Sequence, residues 1–184
     1  ILAGISKKVS YDFFFLELTA RCNLNCRHCY INVPACDKTA GKRELTFKEL
    51  VPIIDQAADL GIILCIITGG EPLLRDDFPE IYIYLKKKGF LVEIDTNGTL
   101  FTEAHLKLFS KFPLTAVNIT IYGSTRGIYE SVTRAKGSFN SLLRCIGMIK
   151  AYKLRLYLRA LIMKANYADS GEIMRFCSGN GVEI

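Results

Sequence analysis

Residues 12–30, "DFFFLELTARCNLNCRHCY", decide how the chain is read. Its first part, "DFFFLEL" (12–18), is short, apolar and aromatic, and reads as a β-strand. It runs directly into a loop that carries Cys22, Cys26 and Cys29, spaced C-x3-C-x2-C. A strand that delivers its chain straight into reactive side chains is typical of parallel α/β proteins, whose chemistry gathers at the C-terminal ends of strands.

Working outward, strand and helix patterns alternate. "TFKELVPIIDQAADLG" (46–61) reads as a helix, with Thr46 as N-cap, Glu49 three places on and Gly61 at its close. "IILCIIT" (62–68) is a continuous apolar run, as expected of a strand buried on both faces. A helix over about 77–88, ending at Gly89, leads to a third strand, "FLVEIDT" (90–96). A helix from Thr102 to Phe112 leads to a fourth, "TAVNITIY" (115–122). Helices around 125–133 and 138–152, the second capped by Ser138, precede a fifth strand, "LRLYLRALI" (154–162). A last helix over 167–179 precedes "VEI", which would open a sixth strand. Such alternation predicts a parallel sheet. No G-x-G-x-x-G follows the first strand, so nothing indicates a dinucleotide fold. Instead a signature follows each of four successive strands: the cysteines, "TGGEP", "TNGT" and "YGST". Four signatures on one rim predict a barrel or an open part-barrel.

Composition narrows the function classes. With 184 residues, 50% hydrophobic and 23% charged, the chain suits one globular domain with a real core. The longest apolar run, "LGIILCII" (60–67), is too short to cross a bilayer, and no membrane partner is expected. The net charge is +6, but the cations are scattered. Their one run, Lys86 to Lys88, precedes Gly89 at a predicted helix C-terminus, where cations complement the helix dipole. Nucleic acid is therefore not an expected partner. Seven cysteines, an odd number, without a secretory leader indicate a reducing compartment, and the protein is expected in the cytoplasm. Cys65, Cys145 and Cys177 sit among apolar residues and read as core; Cys36, in "VPACDK", reads as a bystander. The chain lacks an initiator Met and ends as a strand begins, so residues 1–184 are expected to be one core domain cut from a longer protein.

A structural zinc site wants four closed ligands, usually as two separated pairs. One compact loop supplies three here. His28 and Cys36 would complete a zinc site on paper, although His28 adjoins Cys29. Three clustered thiolates suit an iron–sulfur cube better, with one iron left open for a substrate or cofactor. The other signatures are weak singly. "TGGEP" is an ordinary tight turn, "TNGT" another, Thr120 a β-former and Arg134 a solvated charge. Their succession on strand ends behind a three-cysteine loop gives them weight.

With "GGEP" after the second strand, the C-x3-C-x2-C loop resembles the radical S-adenosylmethionine (radical SAM) superfamily, and the resemblance runs from about Phe13 to Ile184. It implies a partial (β/α)6 TIM-like barrel, ending here near the sixth strand. It also implies a [4Fe–4S] cluster on Cys22, Cys26 and Cys29, whose open iron chelates S-adenosylmethionine. One-electron reduction then cleaves that cofactor to a 5′-deoxyadenosyl radical, which abstracts a hydrogen atom from the substrate. His28 falls where the family packs a side chain near the adenine. Gly69, Gly70 and Glu71 match the loop that meets the methionine amino group, with Glu71 as acceptor. Thr96 and Asn97 match an element close to the cofactor, and Thr120 a residue that bonds its ribose. Tyr122 replaces a common Asp. Arg134, in "VTRAKGSF", matches a partner of the cofactor carboxylate, and Asn166, in "KANY", an Asn after the fifth strand. "CNLNCRHCY" (22–30), followed by the segment 121–139, resembles the branch that carries a SPASM or twitch extension, whose members commonly modify peptides or assemble cofactors. The implied partners are a peptide or small-molecule substrate and a one-electron reductant such as flavodoxin or ferredoxin. Two other readings stay open on the residues: a zinc-binding module, and a binding scaffold that has lost the chemistry.

Overall fold

The computed structural model describes residues 12–180. After β1 (Phe13–Glu17), two-residue strands β2 (Arg21–Cys22) and β3 (Val33–Pro34) pair with each other. β4 (Leu64–Thr68), β5 (Leu91–Thr96), β6 (Ala116–Ile121) and β7 (Leu156–Ala160) then join β1 in a five-stranded sheet of order β1-β4-β5-β6-β7. Every pairing in it is parallel, and neighbours in the sheet follow chain order, as in an opened TIM-like barrel. The expected sixth strand lies outside the described residues.

The crossovers are helices whose apolar residues recur at helical spacing. α1 (Lys38–Lys42) is a short exception with no buried residue. α2 (Phe47–Asp59) starts on the expected capping box, with Thr46 N–H donating to Glu49 Oε2 at 2.8 Å, and buries Leu50, Ile54 and Ala57. α3 (Phe78–Lys87) buries Phe78, Ile81, Tyr82 and Leu85, each worth about 1.5–3 kcal/mol on leaving water. α4 (Glu103–Lys111) and α5 (Arg126–Thr133) bury Leu106, Phe109, Tyr129 and Val132. α6 (Ser138–Ala151) and α7 (Ser170–Gly179) bury Cys145 and Cys177, which join Cys65 in the core as their apolar settings predicted. The lysine run also behaves as read. Lys86 Nζ donates to Phe90 O at 2.9 Å just past the helix end, and Lys88 pairs with Asp55 at 2.7 Å.

Ser138 is not the cap of α6. Gly137 takes that position with φ 85°, and Glu130 Oε1 accepts from Gly137 N–H at 2.8 Å, so the preceding helix caps this one. Ser138 Oγ instead meets Thr133 Oγ1 at 2.9 Å in the core. Along β5, Leu91, Glu93 and Asp95 are more open than the buried Val92, Ile94 and Thr96. One face of the sheet therefore packs under helices while the other lines the open interior. Among the described residues no helix is long and apolar enough to cross a membrane.

Candidate functional site

Beyond β1 the chain is locked before it reaches the first cysteine. Gly70 N–H donates to Thr19 O at 2.7 Å and Glu71 N–H to Arg21 O at 2.9 Å, laying the "TGGEP" turn across residues 19–21. A Cβ on Gly69 would stand 2.3 Å from Thr19 O, and one on Gly70 2.4 Å from Arg21 O. The glycines are needed for this backbone-on-backbone contact. Gly70→Ala is expected to cost about 2–3 kcal/mol and to lower the thermal midpoint of unfolding, because the obstacle is backbone and cannot swing aside. Arg21 clamps Glu44 through two bonds of 2.7 and 2.9 Å, and Glu44 also accepts from the Thr19 hydroxyl.

The cysteine loop then rests on the end of α5. Asn25 N–H donates to Thr133 O at 3.0 Å and Arg27 N–H to Val132 O at 2.9 Å, so helix carbonyls without intrahelical partners hold the loop. Cys22 Sγ accepts from Leu24 N–H at 3.4 Å and from Asn97 Nδ2 at 3.7 Å; Cys29 Sγ accepts from Asn32 N–H at 3.2 Å. Burial, then the neighbouring Cys22 and Cys29, push the Cys26 thiol up to about 12. Cys22, Cys26 and Cys29 all line one cleft of about 230 Å³. Among the described residues no three His, Cys, Asp or Glu converge to hold a single metal ion. Three thiols from one loop, with N–H donors on two of the sulfurs, fit a cluster held by three cysteines on separate irons.

Glu71 lies behind the cleft wall. It is fully buried, and its carboxylate is already taken. Oε1 accepts from Leu73 N–H at 3.1 Å and Thr96 Oγ1 at 2.7 Å, and Oε2 from Asn97 N–H at 2.8 Å. It is not among the residues lining the cleft, and its bonds tie the "GGEP" turn to the "TNGT" loop. Burial pushes its pKa to about 7, against three donors that favour the anion. A carboxyl raised in the folded state stabilises the fold most at low pH and loses that contribution as pH rises through about 7. Glu71→Gln is thus expected to remove a fall in stability between about pH 4.5 and about pH 7, read as unfolding midpoints of the two proteins across that range.

Asn97 extends the network. Its Nδ2 donates to Asn23 Oδ1 at 2.9 Å, and Asn23 Nδ2 donates to Thr99 Oγ1 at 2.7 Å. His28, Gly69, Gly70, Thr96, Asn97 and Thr120 all line the cleft, along with Tyr122. The His28 and Tyr122 rings pack with centroids 4.9 Å apart, and burial holds the imidazole below its usual range.

Two predicted residues are not brought in. Arg134 is exposed at the C-cap of α5 with φ 53°, one residue past the Thr133 carbonyl that supports the loop. Asn166 is buried and spent on backbone: its Nδ2 donates to Tyr122 O at 2.9 Å and Leu161 O at 2.8 Å, and its Oδ1 accepts from Met163 N–H at 2.7 Å. A local motif match does not tell which way a side chain faces. Conversely, the cleft contains Asp95, Asn118 and Arg159, which no sequence motif singles out from their strands. Their polarity at alternate positions of apolar strands was the available signal.

Fold and site together define an open parallel barrel with a three-thiol loop at the C-terminal rim of its sheet. The family model for the radical SAM superfamily matches residues 16–177, and the chain belongs to that superfamily. Its members are enzymes that bind a [4Fe–4S] cluster and S-adenosylmethionine. Fe-coproporphyrin III synthase of Methanosarcina barkeri is 32% identical over 153 residues, covering 83% of this chain and 37% of the relative. An AdoMet-dependent heme synthase of Nitratidesulfovibrio vulgaris is 27% identical, covering 90% and 44%. Among solved structures, Streptococcus suis SuiB bound to S-adenosylmethionine has TM-score 0.77 at 17% identity, covering 95% of this chain and 39% of SuiB. The protein anSMEcpe with bound AdoMet and Kp18Cys peptide has TM-score 0.76 at 16% identity, covering 94% and 49%. These two likenesses show the fold. The chain spans less than half the length of the curated relatives it matches.

Proposed function

We propose that this chain is the catalytic core of a radical SAM enzyme, with Cys22, Cys26 and Cys29 holding a [4Fe–4S] cluster. The observation that carries this reading is the three-thiol loop on the rim of a cleft, with the "GGEP" and "TNGT" loops fastened to it. The bound cluster supplies, on reduction, the single electron that cleaves S-adenosylmethionine for hydrogen abstraction.

The chain's own residues bind and orient. The 19–21 segment and the end of α5 fix the cysteine loop from two sides. The N–H groups of Leu24 and Asn32 donate to the Cys22 and Cys29 sulfurs and fix where they point. Backbone at Gly69 and Gly70 offers the methionine amino group its acceptors, while Glu71 acts behind that surface as a positioning residue. The His28–Tyr122 pair offers a face for the adenine, Thr120 a hydroxyl for the ribose, and Asn97 its amide beside Cys22. A flavodoxin- or ferredoxin-type protein fits as the reductant, since the loop lies at the open rim. The substrate is a peptide or small molecule. The curated relatives are named for tetrapyrrole synthesis and the structural neighbours were solved with peptides, so both cofactor assembly and peptide modification have support.

Low-temperature EPR of anaerobically reconstituted, reduced protein, with and without S-adenosylmethionine, tests this. A [4Fe–4S]+ signal that changes shape with the cofactor is expected. A signal indifferent to it would point to the scaffold, and stoichiometric zinc without iron to the zinc module.

A further inference from the structure

The open face of the main sheet carries a polar cluster that none of these roles uses. Glu93 and Asp95 lie two apart on β5, Asn118 stands opposite Asp95 on β6, and Arg159 reaches across from β7. Asn118 Nδ2 donates to Glu93 Oε2 at 2.9 Å and to Asp95 Oδ1 at 2.8 Å. Only a donor can bridge two carboxylates, so these bonds fix the amide and turn Oδ1 away from β5. That oxygen has no hydrogen-bond partner, although Asn118 is only 2% exposed. A buried, oriented and unpartnered acceptor on the wall of a cleft calls for a ligand donor.

The charges say which kind. Arg159 Nη1 donates to Asp95 Oδ2 at 3.2 Å, and its side chain is 54% exposed. The guanidinium thus pairs with Asp95, and Asn118 Nδ2 is the partner found for Glu93. The cluster has acceptors to spare on the cleft wall, the second face of Asp95 and Asn118 Oδ1, with the charge of Glu93 behind them. A carboxylate entering here would compete with Asp95 for Arg159 and face Glu93. An ammonium or amidinium, with several N–H donors and a positive charge, would complete the set. Asp95, Asn118 and Arg159 line the same cleft as the three thiols.

We infer that Asp95 and Asn118 form a substrate-anchoring subsite for a cationic N–H group, with Glu93 fixing the Asn118 amide from behind the cleft and Arg159 holding Asp95 in place. This rests on the proposed function only in taking the cleft to be where substrate binds. The EPR response to S-adenosylmethionine tests that function separately, so either idea can fail alone.

The test is saturation-transfer NMR on the full-length, reconstituted protein, with n-butylammonium and n-butyrate as matched probes, with and without S-adenosylmethionine. A saturable n-butylammonium signal is expected, retained when S-adenosylmethionine is added and weakened about tenfold in Asp95→Asn. Asp95→Asn keeps shape and volume, whereas Asn118→Leu leaves two carboxylates facing each other and is the harsher second variant. Preference for n-butyrate, lost in Arg159→Gln, would overturn the cationic assignment in favour of a carboxylate anchor. Loss of the n-butylammonium signal on adding S-adenosylmethionine would return the cluster to the cofactor. Equal signals from the native protein and Asp95→Asn would remove the subsite.

Discussion

Cys26→Ala is expected to reduce the cofactor-responsive EPR signal to below about a tenth of the native intensity, because a cube needs all three protein thiolates of this loop. Cys26 lies between its partners, and no other cysteine is placed to take over, since Cys36 is exposed seven positions past Cys29. The loop itself should survive. It is held by Asn25 and Arg27 N–H groups on the carbonyls of Thr133 and Val132, and the Cys26 side chain takes no part in those bonds. The unfolding free energy should therefore move by less than about 1 kcal/mol, separating lost metal from lost fold. Cys36→Ala serves as the counterpart. A cluster site predicts an unchanged EPR signal in that variant; a four-thiolate zinc site predicts metal loss in both. Full signal in Cys26→Ala would sink the three-thiolate assignment.

The parts legible in the sequence were those whose physics is local. Strand periodicity, the capping box at Thr46, the left-handed closures at Gly61 and Gly89 and the three-thiol loop each occupy one short stretch. What escaped depends on residues distant in sequence. Residues 30–45 carry no periodicity, yet they fold into β3 and α1 around the Arg21–Glu44 pair, whose partners lie 23 positions apart. The capping of α6 by Glu130 was hidden because Ser138 is itself a good cap former, and only the left-handed turn at Gly137 moves it inside the helix. Arg134 and Asn166 matched their motifs but not the cleft, since the turn of α5 and the backbone bonds of Asn166 decide where they face. Asn118 was read as part of a strand, correctly, but its two carboxylate partners on β5 follow only from sheet register.

Glu71→Ala is expected to be the costliest single change near the cleft, at roughly 3–5 kcal/mol, because it leaves the Leu73 and Asn97 N–H groups and the Thr96 hydroxyl without their shared acceptor. Such a loss is a large part of a domain's total stability, so a drop of more than about 10 °C in unfolding midpoint should follow. The effect on cofactor binding should travel with it. Glu71 holds "TNGT" against "GGEP", and through Asn97 that loop touches Cys22 and Asn23. Loosening it displaces several cofactor-facing groups at once and should weaken S-adenosylmethionine binding about tenfold or more, while the cysteine loop keeps its cluster. Glu71→Gln separates positioning from contact. The amide can keep two donors on its oxygen but turns an N–H toward that of Asn97, so a positioning residue predicts that stability and affinity fall together, each less than in Glu71→Ala. A residue that accepted directly from the cofactor's ammonium would lose affinity in Glu71→Gln with its unfolding midpoint unchanged, and that result would return Glu71 to the binding surface. The three donors already on its carboxylate favour the first outcome.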